Sequence, residues 1–421
     1  MMDAQTNDWT TRLRTDKSGE PKPLLINAAL ALQEAPEWQG VLAYNDFAKR
    51  TELMRPPPWY TEQHLDVSTW VSRIWTAHDD LQANKWLQRH GINCSLNVAE
   101  IAVELVASES SFHPVRDYLD GLTWDGMPRL DDWMSDYLGV APSDYVKAVA
   151  QRTLIGAIAR IRDPGCKVDN MPIFKGLQGI GKSSMAQAMF EPWFTDEIAD
   201  LGSKDAAMQM QGVWAIEVSE LDAMSRGEVS KIKAFISRRV DRFRPPYGHR
   251  VGEFPRQNVF WGTTNSSEYL KDETGGRRSW PIGCTKLDIT GLKAARDQLW
   301  AEADQLYGAG VKWWLVNPNV AKVAEEMQAD RYAGDLWTDQ VMKYIALLDS
   351  ITISEILVRA LDVEISRQGQ VEQNRVARIL RANGWERYRI GAGIERGKWA
   401  YRKTGTAGKA EIKVMFPEEE T

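Results

Sequence analysis

Cysteine is scarce in this chain. Its three cysteines, Cys94, Cys166 and Cys284, lie far apart and form neither a CxxC pair nor a cluster with histidine. An odd, dispersed set without ligand spacing indicates neither a disulfide framework nor a structural zinc site. Reduced thiols fit a cytosolic protein. Long hydrophobic runs are missing too. The opening stretch, MMDAQTNDWTTRLRTDKSGE, is polar and holds no signal-peptide core. The first apolar run, Pro23 to Leu32, is too short to span a bilayer. The expectation is a soluble intracellular protein with no membrane partner. A large net charge is also absent: −6 over 421 residues argues against indiscriminate coating of nucleic acid, but leaves local basic faces open. No repeat of solenoid period and no low-complexity tract is present.

What the chain has is length and tryptophan. Its 421 residues suffice for two or three domains with a well-buried core. Eighteen tryptophans are many, and core packing is the ordinary explanation for those in apolar patterns, such as Trp124, Trp133 and Trp214. The polar tail, 1–20, is expected to be loose. Helix-spaced apolar residues in LLINAALALQEA, DLQANKWLQRHG and NVAEIAVELVASES suggest a helical N-terminal domain over 21–112. Pro56, Pro57 and Pro58 interrupt it. Ser143 then caps an amphipathic helix that stops at Pro164-Gly165. Short strand-like runs alternate with helices to about Pro281, the pattern of a parallel α/β sheet, in a core domain set at 113–325. Over 326–421, three short helices and a glycine-punctuated basic stretch suggest a winged-helix-like module and tail.

The run IFKGLQGIGKSSMAQAMF contains Gly176-Leu-Gln-Gly-Ile-Gly181-Lys182-Ser183, a full match to G-x-x-x-x-G-K-[ST] between a strand-like and a helix-like segment. Gly176, Gly179 and Gly181 allow successive backbone N–H groups to face one anion, and the helix N-terminus adds its positive end. Lys182 is suited to the β- and γ-phosphates, Ser183 to Mg²⁺, and Ser184 follows in the same turn. The pattern points to a nucleoside triphosphate.

Such a loop needs carboxylates on a second strand. VWAIEVSELD supplies an apolar run ending at Glu217, followed by Glu220 and Asp222. One glutamate would hold Mg²⁺ through water and the other would polarise the nucleophile. A solvated helix start is the plainer alternative. NVFWGTTN ends at Asn265, whose amide suits a water and a γ-phosphate, although Asn-Ser-Ser is also turn-prone. Arg277 and Arg278 follow Gly275-Gly276, and two guanidinium groups on a flexible lead suit a transferring phosphoryl group. So distant from the loop, they serve better in a neighbouring subunit, which implies a ring; surface salt bridges are the alternative.

Between these strands, KIKAFISRRVDRFRPPYGHRVGEFPR carries Lys231, Lys233, Arg238, Arg239, Arg242, Arg244, His249, Arg250 and Arg256 against only Asp241 and Glu253. Tyr247 and His249 sit near the tip of a Pro-Pro-Tyr-Gly turn. Cations with an interleaved aromatic ring are what single-stranded DNA requires, and a solvated charged face is the alternative.

Taken together, LDGLTWDGMPRL, RDPGCKVDNMPIFKGLQGIGKSS, VSELDAMSRGEVSKIKAFISRRVDRFRPPYG, PRQNVFWGTTN and YLKDETGGRRSWPI resemble the virulence-associated protein E family of phage and mobile-element proteins. That family is related to superfamily 3 helicases, and the resemblance runs from about Phe112 to Ile282. It implies a P-loop NTPase core with a parallel sheet, and an ATP- and Mg²⁺-dependent DNA helicase or translocase in phage or mobile-element replication. It also implies a ring, usually a hexamer, in the cytoplasm of a bacterial host. Under it, Lys182 and Ser183 form the Walker A pair, Glu217 and Glu220 the acids, and Asn265 the sensor. Arg277 or Arg278 becomes the finger, and the turn at Tyr247 to Arg250, with Arg244 beside it, the DNA-gripping hairpin. The acids depart from the usual adjacent pair, which leaves their division of labour open. No primase domain is visible, so a primase, if required, is a separate protein.

The C-terminal region from Arg367 to Lys403 is basic. Arg375 and Arg378 share a helix face while Val376, Ile379 and Leu380 point inward. This suits a recognition helix for duplex DNA with a wing at Lys398, although small winged helices also bind proteins. Two other functions stay open: a DNA-binding initiator or interference protein that uses ATP only to assemble, and a small-molecule kinase.

Overall fold

The structure, a computed structural model, describes residues 8–62, 66–198, 203–219, 221, 224, 226–244, 250–265, 278–329, 337–390 and 399–403. The chain divides into two compact units between Tyr332 and Ala333.

The first unit begins with α1 (Leu25–Glu34), β1 (Leu42–Asn45), β2 (Arg50–Leu53), α2 (Pro58–Glu62), β3 (Arg73–Ile74), α3 (Ala77–Arg89), α4 (Leu96–Glu109) and β4 (Ser111–Phe112). The region read as helical therefore also holds a four-stranded sheet, in the order β3-β2-β1-β4. Strands of two to four residues are too short to show an alternating pattern. The supposedly loose tail is partly ordered as well: Trp9 is buried against Trp86, with ring centroids 6.1 Å apart, and Leu13 joins the same core.

Next come α5 (Pro114–Asp120), α6 (Trp133–Leu138) and α7 (Asp144–Arg162). As the sequence suggests, the Ser143 hydroxyl caps α7 by accepting the Val146 N–H at 3.2 Å. The alternating part then runs β5 (Met171–Lys175), α8 (Lys182–Phe190), β6 (Phe194–Thr195), α9 (Lys204–Gln209), β7 (Ala215–Val218), α10 (Arg226–Ile236), β8 (Val240–Phe243), β9 (Gly252–Pro255), β10 (Val259–Thr264), β11 (Ser279–Gly283), α11 (Ile289–Gly308) and α12 (Pro318–Ala329). Five of these strands form a parallel sheet in the order β11-β5-β10-β7-β6, while β8 and β9 pair as an antiparallel hairpin.

The parallel strands are apolar on both faces because both are covered. Phe174, Ala215 and Trp261 point into a core with α7, α8 and α11. Their strand neighbours Ile173, Ile216 and Phe260 point the other way, onto Phe235 and Ile236 of α10. Trp133 and Trp214 are fully buried, each worth about 2–3 kcal/mol of apolar burial. Trp124 is only half-buried, its indole N–H donating to the Met127 carbonyl at 3.1 Å.

The second unit contains α13 (Thr338–Ile345), β12 (Ser350–Ile351), α14 (Ile353–Glu355, running into a wider π-type turn, Ile356–Ala360), α15 (Gln370–Ala382), β13 (Trp385–Arg389) and β14 (Trp399–Lys403). Its antiparallel sheet has the order β12-β14-β13, and Val376, Leu380, Trp385 and Tyr401 lie in its core. Gly384, at φ 79°, turns the chain out of α15 so that WERYR forms a strand instead of prolonging the helix. Among the described residues, no helix is long and apolar enough to cross a membrane.

Candidate functional site

In an open parallel sheet, ligands bind beyond the carboxyl ends of the strands. Here Lys182, Ser183, Glu217 and Asn265 converge at that edge. The loop 176–181 leaves β5 and enters α8. Gly176 is compulsory by space, because a Cβ there would lie 2.8 Å from the Cys284 carbonyl oxygen and 2.5 Å from Ile180. Gly181 is compulsory by conformation, with φ at 101° immediately before the helix. Gly179 also has positive φ, at 80°. The first N–H groups of α8 have no partner within the helix, and such an end favours an anion.

Lys182 opens α8 and is buried. Its ammonium donates to the Gly176 carbonyl at 2.9 Å, the Leu177 carbonyl at 2.9 Å and Asn265 Oδ1 at 2.8 Å. The lysine thus clasps its own loop and ties it to the end of β10. Ser183 and Ser184 are exposed in the first turn. Behind the loop, burial pushes the Cys284 thiol up to about 12, against the opposing charge of Lys182.

Glu217, on β7, is also buried. Its Oε1 accepts the Ser183 hydroxyl at 2.8 Å and the Thr263 hydroxyl at 2.6 Å. Its Oε2 is buried and makes no hydrogen bond among the described residues. An orphaned carboxylate oxygen costs about 1–3 kcal/mol or more, and a hard cation beside it relieves that cost. Ser183 and Glu217 therefore fit a divalent metal held by oxygen ligands.

Thr263 was not legible as part of this cluster. Its place follows from strand order: β10 lies between β5 and β7, with Trp261 opposite Glu217 and Thr263 opposite Phe174. Thr263 and Asn265 are two apart at the end of β10, so one holds Glu217 and the other Lys182. The i, i+2 spacing in GTTN was the available signal.

Several candidates lie elsewhere. Arg278 precedes β11, whose Ser279 is level with Met171, so it sits at the amino edge, about 15 Å along the sheet from the loop. There its guanidinium donates to Asp169 Oδ2 at 3.3 Å. Glu220, Asp222, Arg277, Tyr247, His249 and Lys398 lie outside the described residues. The basic segment forms the β8–β9 hairpin, with Arg244 and Arg250 exposed at the ends of its connection. Not all its cations face solvent. Arg256 is buried in a two-pronged bond to Asp241, at 2.6 and 2.8 Å, and Lys233 is buried in α10. Two exposed cations are also engaged: Arg239 donates to the Gly165 carbonyl at 2.7 Å and Arg242 pairs with Glu253 at 2.8 Å. The buried Asp241–Arg256 pair ties the base of the hairpin. In the second unit the Arg375 guanidinium lies 3.7 Å from the Trp337 ring centroid, half-buried, and the Arg378 side chain is outside the described set.

Fold and site together define a mixed α/β protein in which a glycine loop, a lysine, a buried carboxylate and an amide meet at one edge of a parallel five-stranded sheet. The chain belongs to the virulence-associated protein E-like family, whose domain model matches residues 119–333. A search of curated proteins returned no match. Two solved apo structures of the NrS-1 C-terminal region overlay with TM-scores of 0.45, at 12% and 13% identity, over 90% of this chain and 99% of theirs. Those scores lie below the level at which a shared fold follows.

Proposed function

We propose that this protein is an ATP-dependent DNA helicase or translocase of phage or mobile-element replication, working as a ring of subunits around single-stranded DNA. The observation that carries the reading is the convergence of Lys182, Ser183, Glu217 and Asn265 at one sheet edge, with Glu217 Oε2 left over. ATP lays its phosphates along the loop N–H groups, and Lys182 exchanges Asn265 for the β- and γ-phosphate oxygens. Asn265, once released, orients the attacking water. Ser183 and, through water, Glu217 would hold Mg²⁺, which would supply neutralisation of the phosphate charge. Glu217 keeps one oxygen on Ser183 and Thr263, so the free oxygen is aimed rather than mobile.

Arg278, at the opposite edge, is out of reach of its own loop, which favours a finger offered by Arg277 or Arg278 to the next subunit. The hairpin, anchored through Asp241 and Arg256, offers the exposed Arg244 and Arg250 to DNA. The second unit, a helical module with a β hairpin, supplies a further DNA contact in the manner of a winged helix.

The test is displacement of a labelled strand from a forked duplex. The wild type displaces it with ATP and the Lys182→Ala protein does not. ATP-driven assembly on the fork without displacement would replace this reading with that of an initiator or interference protein.

A further inference from the structure

Among the described residues of the second unit, an exposed cation–aromatic cluster lies on the hairpin, away from α15. Trp399 begins β14 and is 50% exposed. It takes no part in this unit's hydrophobic core, although Trp385 and Tyr401, on the same hairpin, do. The register places Arg389 opposite Trp399 and Arg387 opposite Tyr401, so both arginines share its face of the sheet. The Arg387 guanidinium lies 4.0 Å from the Trp399 ring centroid and that of Arg389 6.0 Å away. One face of the sheet thus passes from core, at Trp385 and Tyr401, to an exposed indole with two cations beside it.

A tryptophan that only stiffened the hairpin would be expected to bury itself, as Trp385 does at 3% exposure. The hairpin strands carry Arg387, Arg389, Arg402 and Lys403 against Glu386 alone, and Arg402 is engaged with Glu386 at 2.7 Å. A half-exposed indole with two guanidinium groups beside it matches one class of partner, a polyanion with flat rings. Each base stacks on the ring while the cations meet its phosphates.

We propose that Trp399, backed by Arg387 and Arg389, is a stacking platform for single-stranded nucleic acid. This rests on the reading of DNA as partner, but it moves the contact of the second unit from the α15 face to the hairpin. It also changes the expected ligand there from duplex to unpaired bases.

The experiment is fluorescence anisotropy of a labelled oligothymidylate and of a duplex of equal length, with the full chain and no nucleotide, over a range of salt. Trp399→Ala is expected to weaken single-strand binding about 5- to 100-fold, Trp399→Phe to restore most of it, and the duplex to change little. Arg387→Gln, which leaves the indole in place, is expected to lower the salt dependence by about one counterion. Single-strand affinity equal to wild type in Trp399→Ala overturns the platform while leaving DNA as partner. A wild-type protein that binds neither oligonucleotide overturns the platform and the DNA reading together.

Discussion

Replacing Asp241 with asparagine isolates the anchor of the hairpin. Asp241 is 3% exposed on β8 and Arg256 1% exposed. The carboxylate accepts both prongs of the guanidinium, which also donates to the Phe235 carbonyl and lies 4.1 Å from the Phe235 ring centroid. Asparagine keeps the shape but turns one acceptor into an N–H₂ facing another donor. A buried cation is then left without its counter-charge, at a cost of about 3–5 kcal/mol. A domain of this size loses roughly 2–4 °C of melting temperature per kcal/mol, so Asp241→Asn is expected to melt about 6–20 °C lower. Removing both charges, in Asp241→Leu with Arg256→Met, is expected to recover most of the loss, because no lone ion remains. Thermal unfolding followed by circular dichroism reads both. A shift below about 2 °C for Asp241→Asn, or a double variant no better than the single, would refute the argument that this pair holds the hairpin base.

Further expectations concern the site and its surroundings. Thr263→Val removes a hydroxyl without changing volume and is expected to raise the Mg²⁺ concentration needed for ATP hydrolysis and to lower its rate about tenfold or more; Thr263→Ser restores both, and an unchanged Mg²⁺ titration contradicts the role. His113 accepts the Arg116 N–H through Nδ1 and donates through Nε2 to Gln257, and burial holds its imidazole below the usual 6.5. The unfolded chain therefore takes up this proton first, so the stability it contributes is complete above about pH 6.5 and declines below it. Urea midpoints at pH 8 and pH 5.5 should differ less in His113→Asn than in wild type. Cys284, with its thiol pushed up to about 12 by burial, is expected to resist iodoacetamide at pH 8 until the protein unfolds, and rapid labelling of the native protein would contradict this.

The loop was legible because its residues are contiguous and local chemistry fixes their use. Glu217 and Asn265 were legible as ends of apolar runs. Thr263 was not, because its bond to Glu217 arises from β10 lying between β5 and β7, an order that chain sequence does not display. The basic segment read as one cationic face, yet pattern alone does not separate Arg256, which is buried, from Arg250, which is exposed. In the N-terminal part the helices showed their period, whereas β3 and β4, two residues each, offered none. Trp9 was masked by the polarity of its neighbours and joined the core through a partner, Trp86, far along the chain. On the C-terminal side, the helical face of Arg375 was visible, but its stack on Trp337 was not.

The most direct measurement is ATP hydrolysis with and without single-stranded DNA, beside a Lys182→Ala control. The account predicts hydrolysis that DNA stimulates strongly and that the variant loses. Hydrolysis indifferent to DNA, or untouched by loss of Lys182, would contradict it.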